Sequence, residues 1–441
     1  MMAMMRDKLD ILAAYAAKRL TLWQLSSRAQ LQRRQARLLR ALMRHAGKVF
    51  PFYQPFANLP FAQWPVIDKS VMLESFESMN VLGLSRERAW EAAEEALCRD
   101  NSSARVNGHT LGTSTGTSGQ RGLFIISDHE RRLWLGSILA RCLPDFPFTR
   151  HRVALLLATG NGLYETSSES GRLQFAFFDL RKGLSCHSAR LQAFAPDVLI
   201  GAPSALAELA RLGVALPLRH VFTGGEVLDT LQARQITAGF DVAPRPIYQA
   251  TEGFLGVACA HGSIHLNEDD LLIEEEPVAG QSGHFVPVIT DLRRRAQAMI
   301  RYRLTDVLVK RDTPCPCGSC LLALSRVEGR MDDVVRLPAA LGGRIAIMPE
   351  VLRATLLDAD RSVRDFRLVQ TGEVALVLSL PFDTSEATQQ AVLTALQAAL
   401  QRHGAKNDVS VSLHLGLPPL PPGHKLRRIQ SSDFSKAGMT S

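Results

Sequence analysis

Residues 111–122 read "LGTSTGTSGQRG", a run in which Ser and Thr interleave with Gly ahead of Gln120 and Arg121. Glycine lets successive backbone N–H groups point into one concavity, and the hydroxyls add donors, so such a loop suits anionic oxygen and phosphate above all. The same composition also suits a solvated Ser/Gly linker. A Walker loop needs Gly-Lys-[Ser/Thr] where this chain has Gly119, Gln120 and Arg121, and the Gly-x-Gly-x-x-Gly spacing of a dinucleotide fingerprint is absent as well.

Downstream, apolar runs of strand length appear at 152–159 (RVALLLAT), 197–201 (DVLIG), 220–226 (HVFTGGE) and 245–251 (RPIYQAT), each running into a polar or Gly-containing turn. SARLQAF (188–194) and SALAELARLG (204–213) lie between them with helical spacing. This alternation predicts βαβ units and a largely parallel sheet, with ligands beyond the carboxyl ends of its strands. Residues 260–330 are richer in strand-like pattern. Residues 345–415 alternate strands such as EVALVLSL with the helix SEATQQAVLTALQAALQRHG. There is no internal repeat, and the tail SSDFSKAGMTS reads as disordered.

With 441 residues, 46% hydrophobic and 21% charged, the chain is expected to be globular with two or more domains. The start MMAMMRDKLD places charge where a signal peptide has its apolar stretch, and no run approaches the roughly 18 apolar residues of a spanning helix. The expectation is a cytoplasmic protein with no transmembrane segment. Seven Cys, an odd number, suit a reducing compartment. The net charge of +8 is uneven, because residues 11–67 hold nine Lys and Arg and no Asp or Glu. Within them RAQLQRRQARLLRALMRHAG has the spacing of an amphipathic helix ending near Gly47. Its basic face suits plain solvation, an acidic partner such as an acyl carrier protein, or an anionic membrane surface. Without a reader motif it does not point to nucleic acid.

STGTSGQRG resembles the Thr-Ser-Gly-Thr-Thr-Gly-x-Pro-Lys loop of the adenylate-forming enzymes, with Ser114 to Gly119 matching and Arg121 in place of Pro. Five further segments follow in that family's order. TGGE (223–226) resembles the segment along the adenine, YQATEG (248–253) the Tyr-Gly-x-Thr-Glu motif, and YRLTD (302–306) the Tyr-Arg-Thr-Gly-Asp motif. EGRMDD (328–333) resembles the Gly-Arg-x-Asp-Asp hinge, and PPGHKLRR (421–428) the Gly-Lys-x-x-Arg ending. PVIDKSVMLESF, APDVLIGAPSALAELA and HLNEDDLLIE are similar to the phenylacetate–coenzyme A ligase branch. Gln249 for Gly, Leu304-Thr305 for Thr-Gly, and His424 before Lys425 depart from the family pattern.

The resemblance implies an α/β fold. A large N-terminal domain, residues 1–328, would have mixed and parallel sheets flanked by helices and the basic helical segment 6–47 at its start. A small, mobile α+β domain, residues 329–441, would swing about Arg330 to Asp332. It implies ATP-dependent activation of a carboxylic acid, aromatic or arylacetic, to an acyl-AMP. The acyl group then passes to the thiol of coenzyme A or of carrier-protein pantetheine. An amide synthetase using an amine, and a non-catalytic nucleotide-binding or scaffold protein, are the alternatives; a homodimer is a further expectation.

Attack of a carboxylate on the α-phosphorus builds charge on phosphate oxygens, which donors and cations must offset. Thr113, Ser114, Thr115, Gly116, Thr117, Ser118 and Gly119 can supply hydroxyl and N–H donors to the β- and γ-phosphates. By the resemblance, Gly225, Glu226 and Tyr248 line the nucleotide, Thr251 donates to the α-phosphate and Glu252 holds Mg²⁺. Asp306 would accept from both ribose hydroxyls, and Arg330 would reach ribose or phosphate. Lys425, on a Pro-rich turn, would bring a mobile ammonium to the α-phosphate, while Arg427 and Arg428 would meet a phosphate or the opposing domain. ATGNGLYETSS (158–168) and Phe175, Phe177 and Phe178 are candidate pocket walls, although the three Phe also suit the core.

Cys259, His261 and His265 lie some fifty residues before CPCGSC, which holds Cys315, Cys317 and Cys320. Clustered thiols paired with a distant Cys/His group suit a structural Zn²⁺ site, and six candidates exceed the four ligands that tetrahedral zinc takes. The phenylacetate ligase branch points to Cys259, His265, Cys315 and Cys317, with Cys320 and His261 in reserve.

Overall fold

The computed structural model describes residues 2–98, 104–113, 122–157, 171–180, 183–419 and 426–431. Two compact units divide the chain: Met1–Leu304 with Val309–Arg326, and Thr305–Leu308 with Val327–Ser441.

The first unit opens with α1 (Met2–Gln24) and α2 (Arg28–Val49), then α3 (Lys69–Glu74) and α4 (Arg86–Cys98). The basic segment is therefore two helices. Ser27 between them caps α2 by accepting from the Gln30 N–H, and α2 runs two residues past Gly47. Strands β1 (Ala104–Val106), β2 (His109–Thr113) and β3 (Leu123–Ser127) form an antiparallel sheet, and β3 leads straight into α5 (Asp128–Cys142). A capping box of Ser127 and Glu130 starts α5.

The parallel layer follows the predicted alternation: β4 (His151–Leu157), β5 (Leu173–Asp179), α6 (Ser188–Phe194), β6 (Val198–Gly201), α7 (Pro203–Arg211), β7 (His220–Thr223), α8 (Thr230–Phe240) and β8 (Pro244–Ala250). Its strands lie in the order β5-β4-β6-β7-β8, all parallel. Alternate residues of one strand serve opposite cores, as period-two side chains must. Val153 and Leu155 pack with Tyr15 of α1 and Leu139 of α5, while Ala154 and Leu156 pack with Leu191, Leu206 and Ile236 of α6, α7 and α8. Phe178 is fully buried in the second of these cores, so it is a core residue; Phe175 and Phe177 pack half-buried against the first.

Beyond β8 the sheet turns antiparallel through β9 (Gly253–Ala258) and β10 (Ile264–Leu266), and continues with β11 (Leu271–Pro277), β12 (His284–Asp291) and β13 (Tyr302–Arg303). Strands β14 (Asp306–Lys310) and β15 (Ala323–Arg330) straddle the division between the units. The second unit adds the hairpin β16 (Val335–Pro338) and β17 (Arg344–Ile347), then α9 (Pro349–Ala359). A mixed sheet completes it, formed by β18 (Arg367–Gln370), β19 (Ala375–Leu380), β20 (Ser410–Leu415) and β21 (Ile429–Ser431), with α10 (Glu386–Arg402) between β19 and β20. Leu352, Leu356, Phe366, Leu378, Val392 and Leu396 centre its core. Among the described residues no helix is long and apolar enough to cross a membrane.

The N-terminal helices are held by the acidic turn between β10 and β11. Asp269 has no exposed surface and pairs with Lys18 of α1, at 2.6 Å, and with Arg141 of α5. Lys18 also meets Asp270, Arg28 binds Glu268 at 2.5 and 2.9 Å, and Arg34 reaches the Asp269 carbonyl at 2.8 Å. Gln35 donates to the Glu268 and Leu271 carbonyls, both at 2.9 Å. Removing one partner of a buried ion pair leaves the others uncompensated in a low-dielectric interior. Asp269→Ala should therefore lower the unfolding free energy by about 3–5 kcal/mol in urea titrations; a loss below about 1 kcal/mol, the scale of exposed pairs, would show that the cluster is effectively hydrated.

Candidate functional site

Strand order in the parallel layer reverses between β4 and β6, since the chain leaves β4 toward β5 on one side and leaves β6 toward β7 on the other. Such a reversal opens a crevice beyond the carboxyl ends of the strands. The turns there are joined to one another. The Gly224 N–H donates to the Gly201 carbonyl at 3.0 Å, and Glu226 accepts from the Ser204 N–H at 3.3 Å, at the start of α7. A Cβ built on Gly224 would lie 3.7 Å from the Ile247 carbonyl of β8, so the TGGE turn lies against the strand that carries Tyr248. Gly225 takes a φ of +84°, open to glycine without strain.

Tyr248 is buried beside a register shift between β8 and β9, and Thr251 and Glu252 occupy the tight turn that joins those strands. Two groups outside the predicted set reach this turn, and a third braces one of them. The buried hydroxyl of Tyr302 lies beside the Glu252 carboxylate, and burial first, then the charge of Glu252, push the Tyr302 hydroxyl well above the ordinary phenol range. Arg294, also buried, donates from Nη1 to the Glu252 carbonyl at 3.2 Å. Asp291 accepts from the Arg293 and Arg294 N–H groups at 2.9 and 3.2 Å. Part of the Asp291 residue is exposed, yet its carboxyl is desolvated, and burial raises it to about 6 against the opposing pull of Arg294.

The same segment is tied to the helix that follows β3. Glu130 accepts from the Arg295 and Ala296 N–H groups at 2.5 and 3.0 Å, and Gln297 accepts from the Ile125 N–H of β3 at 2.9 Å. Burial works against ionisation of Glu130, but Arg294 and these N–H donors outweigh it and hold the carboxyl below its ordinary range.

In the second unit Asp306 and Arg330 come together, with Oδ1 and Nε 3.7 Å apart, and the Met331 N–H donates to the Thr305 carbonyl at 2.7 Å. Arg427 and Arg428, expected at a phosphate or the opposing domain, each pair with a carboxylate of this unit. Arg427 binds Asp333, with Nε at 2.9 Å, and Arg428 binds Asp365 at 2.9 Å, because each finds a carboxylate on a neighbouring segment. Thr113 ends β2. Ser114, Thr115, Gly116, Thr117, Ser118, Gly119, residues 158–168 and Lys425 lie outside the described residues.

A second constellation sits at the other end of the antiparallel strands. The ligand atoms of Cys259, His265, Cys315 and Cys317 all lie within 4.8 Å of one another. Cys259 Sγ is 3.6 Å from Cys315 Sγ, and Cys317 Sγ is 3.2 Å from His265 Nε2. The edges of a zinc tetrahedron with S and N ligands are about 3.5–3.8 Å, so the donor set has the size and chemistry of a zinc site. His265 Nδ1 lies 3.2 Å from the Leu321 carbonyl; donating there leaves the Nε2 lone pair facing the thiols. Desolvation works against ionising Cys315, but the Cys317 N–H and Ser263 bring it down, while burial and Cys315 push Cys317 up. Cys320 points instead to the Leu25 carbonyl at 3.5 Å, and His261 is exposed; neither joins the group.

No family model matches the sequence. Phenylacetate-coenzyme A ligase of Thermus thermophilus is 25% identical over 279 residues, 54% of this chain and 61% of that enzyme, so the match spans less than two thirds of the curated relative. A crystal structure of 2-hydroxyisobutyryl-CoA ligase in the postadenylation state, in complex with 2-HIB-AMP, matches with a TM-score of 0.67 and 17% identity, over 94% of this chain and 91% of that one. The anthranilate CoA ligase in complex with anthranoyl-AMP matches with a TM-score of 0.52 and 14% identity, over 71% and 64%. The chain has the fold of the adenylate-forming ligases. In that fold the Thr251–Glu252 turn and the crevice beyond β4 and β6 belong to one sheet.

The Asp291 carboxyl gives this turn a pH signature. Its folded value of about 6 exceeds its ordinary 3.8, so the unfolded chain releases this proton first as pH rises. The group lowers stability progressively from about pH 4 to about pH 6, and by a constant amount on the order of 3 kcal/mol above that. Asp291→Asn should remove this dependence, so the stability difference from wild type should change between those pH values and stay flat above them. An unfolding difference equal at pH 4 and pH 7 would place the carboxyl in water.

Proposed function

We propose that this chain activates a carboxylic acid with ATP to an acyl-AMP and then passes the acyl group to a thiol. The observation that carries the reading is the Thr251–Glu252 turn, joined to Tyr248 and beside Tyr302, in the same sheet as the TGGE turn at its reversal point. Support comes from the six ordered motif likenesses over residues 113–428 and from the likeness to solved CoA ligases.

In the first half-reaction an acid oxygen attacks the α-phosphorus, the bond to the β-phosphate breaks, and pyrophosphate leaves. Residues 113–119 hold the departing phosphates, Thr251 donates to the α-phosphate, Gly225, Glu226 and Tyr248 line the base, and Asp306 and Arg330 take the ribose. Glu252 would hold Mg²⁺, which when bound offsets charge on the phosphate oxygens. Lys425 meets the attacking carboxylate and the α-phosphate. In the second half-reaction a thiolate, from coenzyme A or the pantetheine of an acidic acyl carrier protein, attacks the acyl carbon and AMP leaves. The acid is proposed to be aromatic or arylacetic, on the likeness to the phenylacetate ligase.

ATP–pyrophosphate exchange across a panel of acids tests the reading, and no exchange with any of them would favour a non-catalytic protein. Lys425→Ala should abolish exchange while largely sparing acyl transfer from a supplied acyl-AMP, because the ammonium acts only when charge builds at the α-phosphate. Equal loss in both half-reactions would remove that role.

The four-residue Cys/His group is proposed to hold structural zinc, fastening the β9–β10 turn to the turn between β14 and β15. The metal's chemistry here is coordination alone, contributing folding free energy. Protein purified without a histidine tag should contain close to one zinc per chain, and Cys315→Ser/Cys317→Ser should lose the metal and unfold at lower temperature. Zinc below about a tenth of an equivalent, or full zinc in the double variant, would rule the site out.

A further inference from the structure

The outer faces of α1 and α2 carry chemistry that the site does not use. On α1, Leu9, Leu12, Leu20 and Trp23 recur at helical spacing on one stripe, and they are 57%, 36%, 53% and 81% exposed. Ala13 and Ala16 lie on the same stripe and are exposed too. Lys18, on the opposite side of the helix, is buried against Asp269. Asp7 and Asp10, the acids of α1, are turned to Arg132 of α5 at 2.9 and 3.3 Å. On α2, Arg33, Arg37, Arg40, Arg44 and Lys48 form a second stripe at helical spacing, all exposed and, among the described residues, without an ion-pair partner. Arg34, Gln35, Leu31 and Leu42 face inward, so only part of the basic segment is free. No acid occurs anywhere in α2.

Both helices turn their inner sides to the same acidic segment, Glu268 to Asp270, and both outer sides away from it. The result is an apolar stripe ending in a tryptophan and a purely cationic stripe, each about 20 Å long. A second copy of this chain would set cations against cations along α2. An acidic protein would neutralise the arginines but would also need a matching apolar ridge, and nucleic acid offers the apolar stripe nothing. A bilayer with anionic headgroups answers both stripes at once: apolar side chains enter the headgroup boundary, tryptophan favours that interface, and arginines and lysine meet the lipid phosphates.

We propose that the outer faces of α1 and α2 form a docking surface for an anionic lipid bilayer. The surface stands independently of the acyl-transfer reading, since vesicle binding can be measured without turnover. The test is co-sedimentation of the full chain with vesicles of phosphatidylglycerol and phosphatidylcholine, against vesicles of phosphatidylcholine alone. Binding is expected to the anionic vesicles only and to weaken in ~0.5 M salt, where exposed charges are screened. Replacing Arg33, Arg37, Arg40 and Arg44 together by Gln should lower it at least roughly tenfold. Leu20→Ser/Trp23→Ser should also lower it, with loss of the blue-shifted fluorescence that Trp23 gains on binding. All six positions are exposed, so the variants should unfold at the wild-type midpoint. Absence of binding, or equal binding to both vesicles, overturns the proposal. So does a solution dimer that Leu20→Ser/Trp23→Ser dissolves, or an arginine variant that binds vesicles normally while losing carrier acylation.

Discussion

A carboxylate with no exposed surface exists only where cations come to it, and Asp269 brings in two, Lys18 from α1 and Arg141 from α5. That demand fixes where the N-terminal helices lie. Once α1 and α5 converge on the β10–β11 turn, Tyr15 and Leu139 meet Val153 and Leu155, and one face of the parallel layer is covered. Gln35 and Arg34 complete the closure by meeting backbone carbonyls of the same turn, groups that burial would otherwise leave costly.

The same turn reaches the cysteine cluster. Glu268 accepts from Arg28 and from the Leu322 N–H at 2.5 Å, and Leu321, one residue earlier, offers its carbonyl to His265. Arg28 also donates to the Cys320 carbonyl at 3.2 Å. The loop that carries Cys315 and Cys317 is thus pinned at its exit by polar contacts that need no metal. A metal at the four ligands would then tighten a loop already positioned, and most of its effect would fall on the turns that hold Cys259 and Cys315.

What the sequence revealed followed the strength of each local signal. The parallel layer was legible because apolar strands, helical spacing and Gly-bearing turns agree; SARLQAF forms a helix over the residues expected. The Cys/His group was legible as six clustered candidates, and the resemblance, not the spacing, picked out the four that the structure brings together. The two-helix form of the basic segment was not read, since Ser26 and Ser27 are weak breaks beside long apolar periodicity. Which cations turn inward was hidden too: Arg33 and Arg34 are adjacent and alike, and only the acids some 235 residues away separate them. Asp291, Arg294 and Tyr302 were missed as supports of Glu252 because "DLRRR" looks like any exposed charge run, although the apolar AQAMIRY after it hints at burial. Phe178 lies in the core, the reading that an apolar strand covered by helices favours over a pocket wall.

The way Glu252 is held bears on what it can do. A carboxylate that is to bind a cation cannot be consumed by a full ion pair with its own protein. Here the nearby guanidinium of Arg294 donates to the Glu252 carbonyl, leaving the carboxylate with the neutral hydroxyl of Tyr302. A neutral hydroxyl leaves a carboxylate's charge available, whereas a bidentate arginine would neutralise it. Asp291, beside Arg294, offsets the guanidinium charge that would otherwise compete with a metal at Glu252. The turn therefore leaves the Glu252 charge available, which the proposed Mg²⁺ role would require.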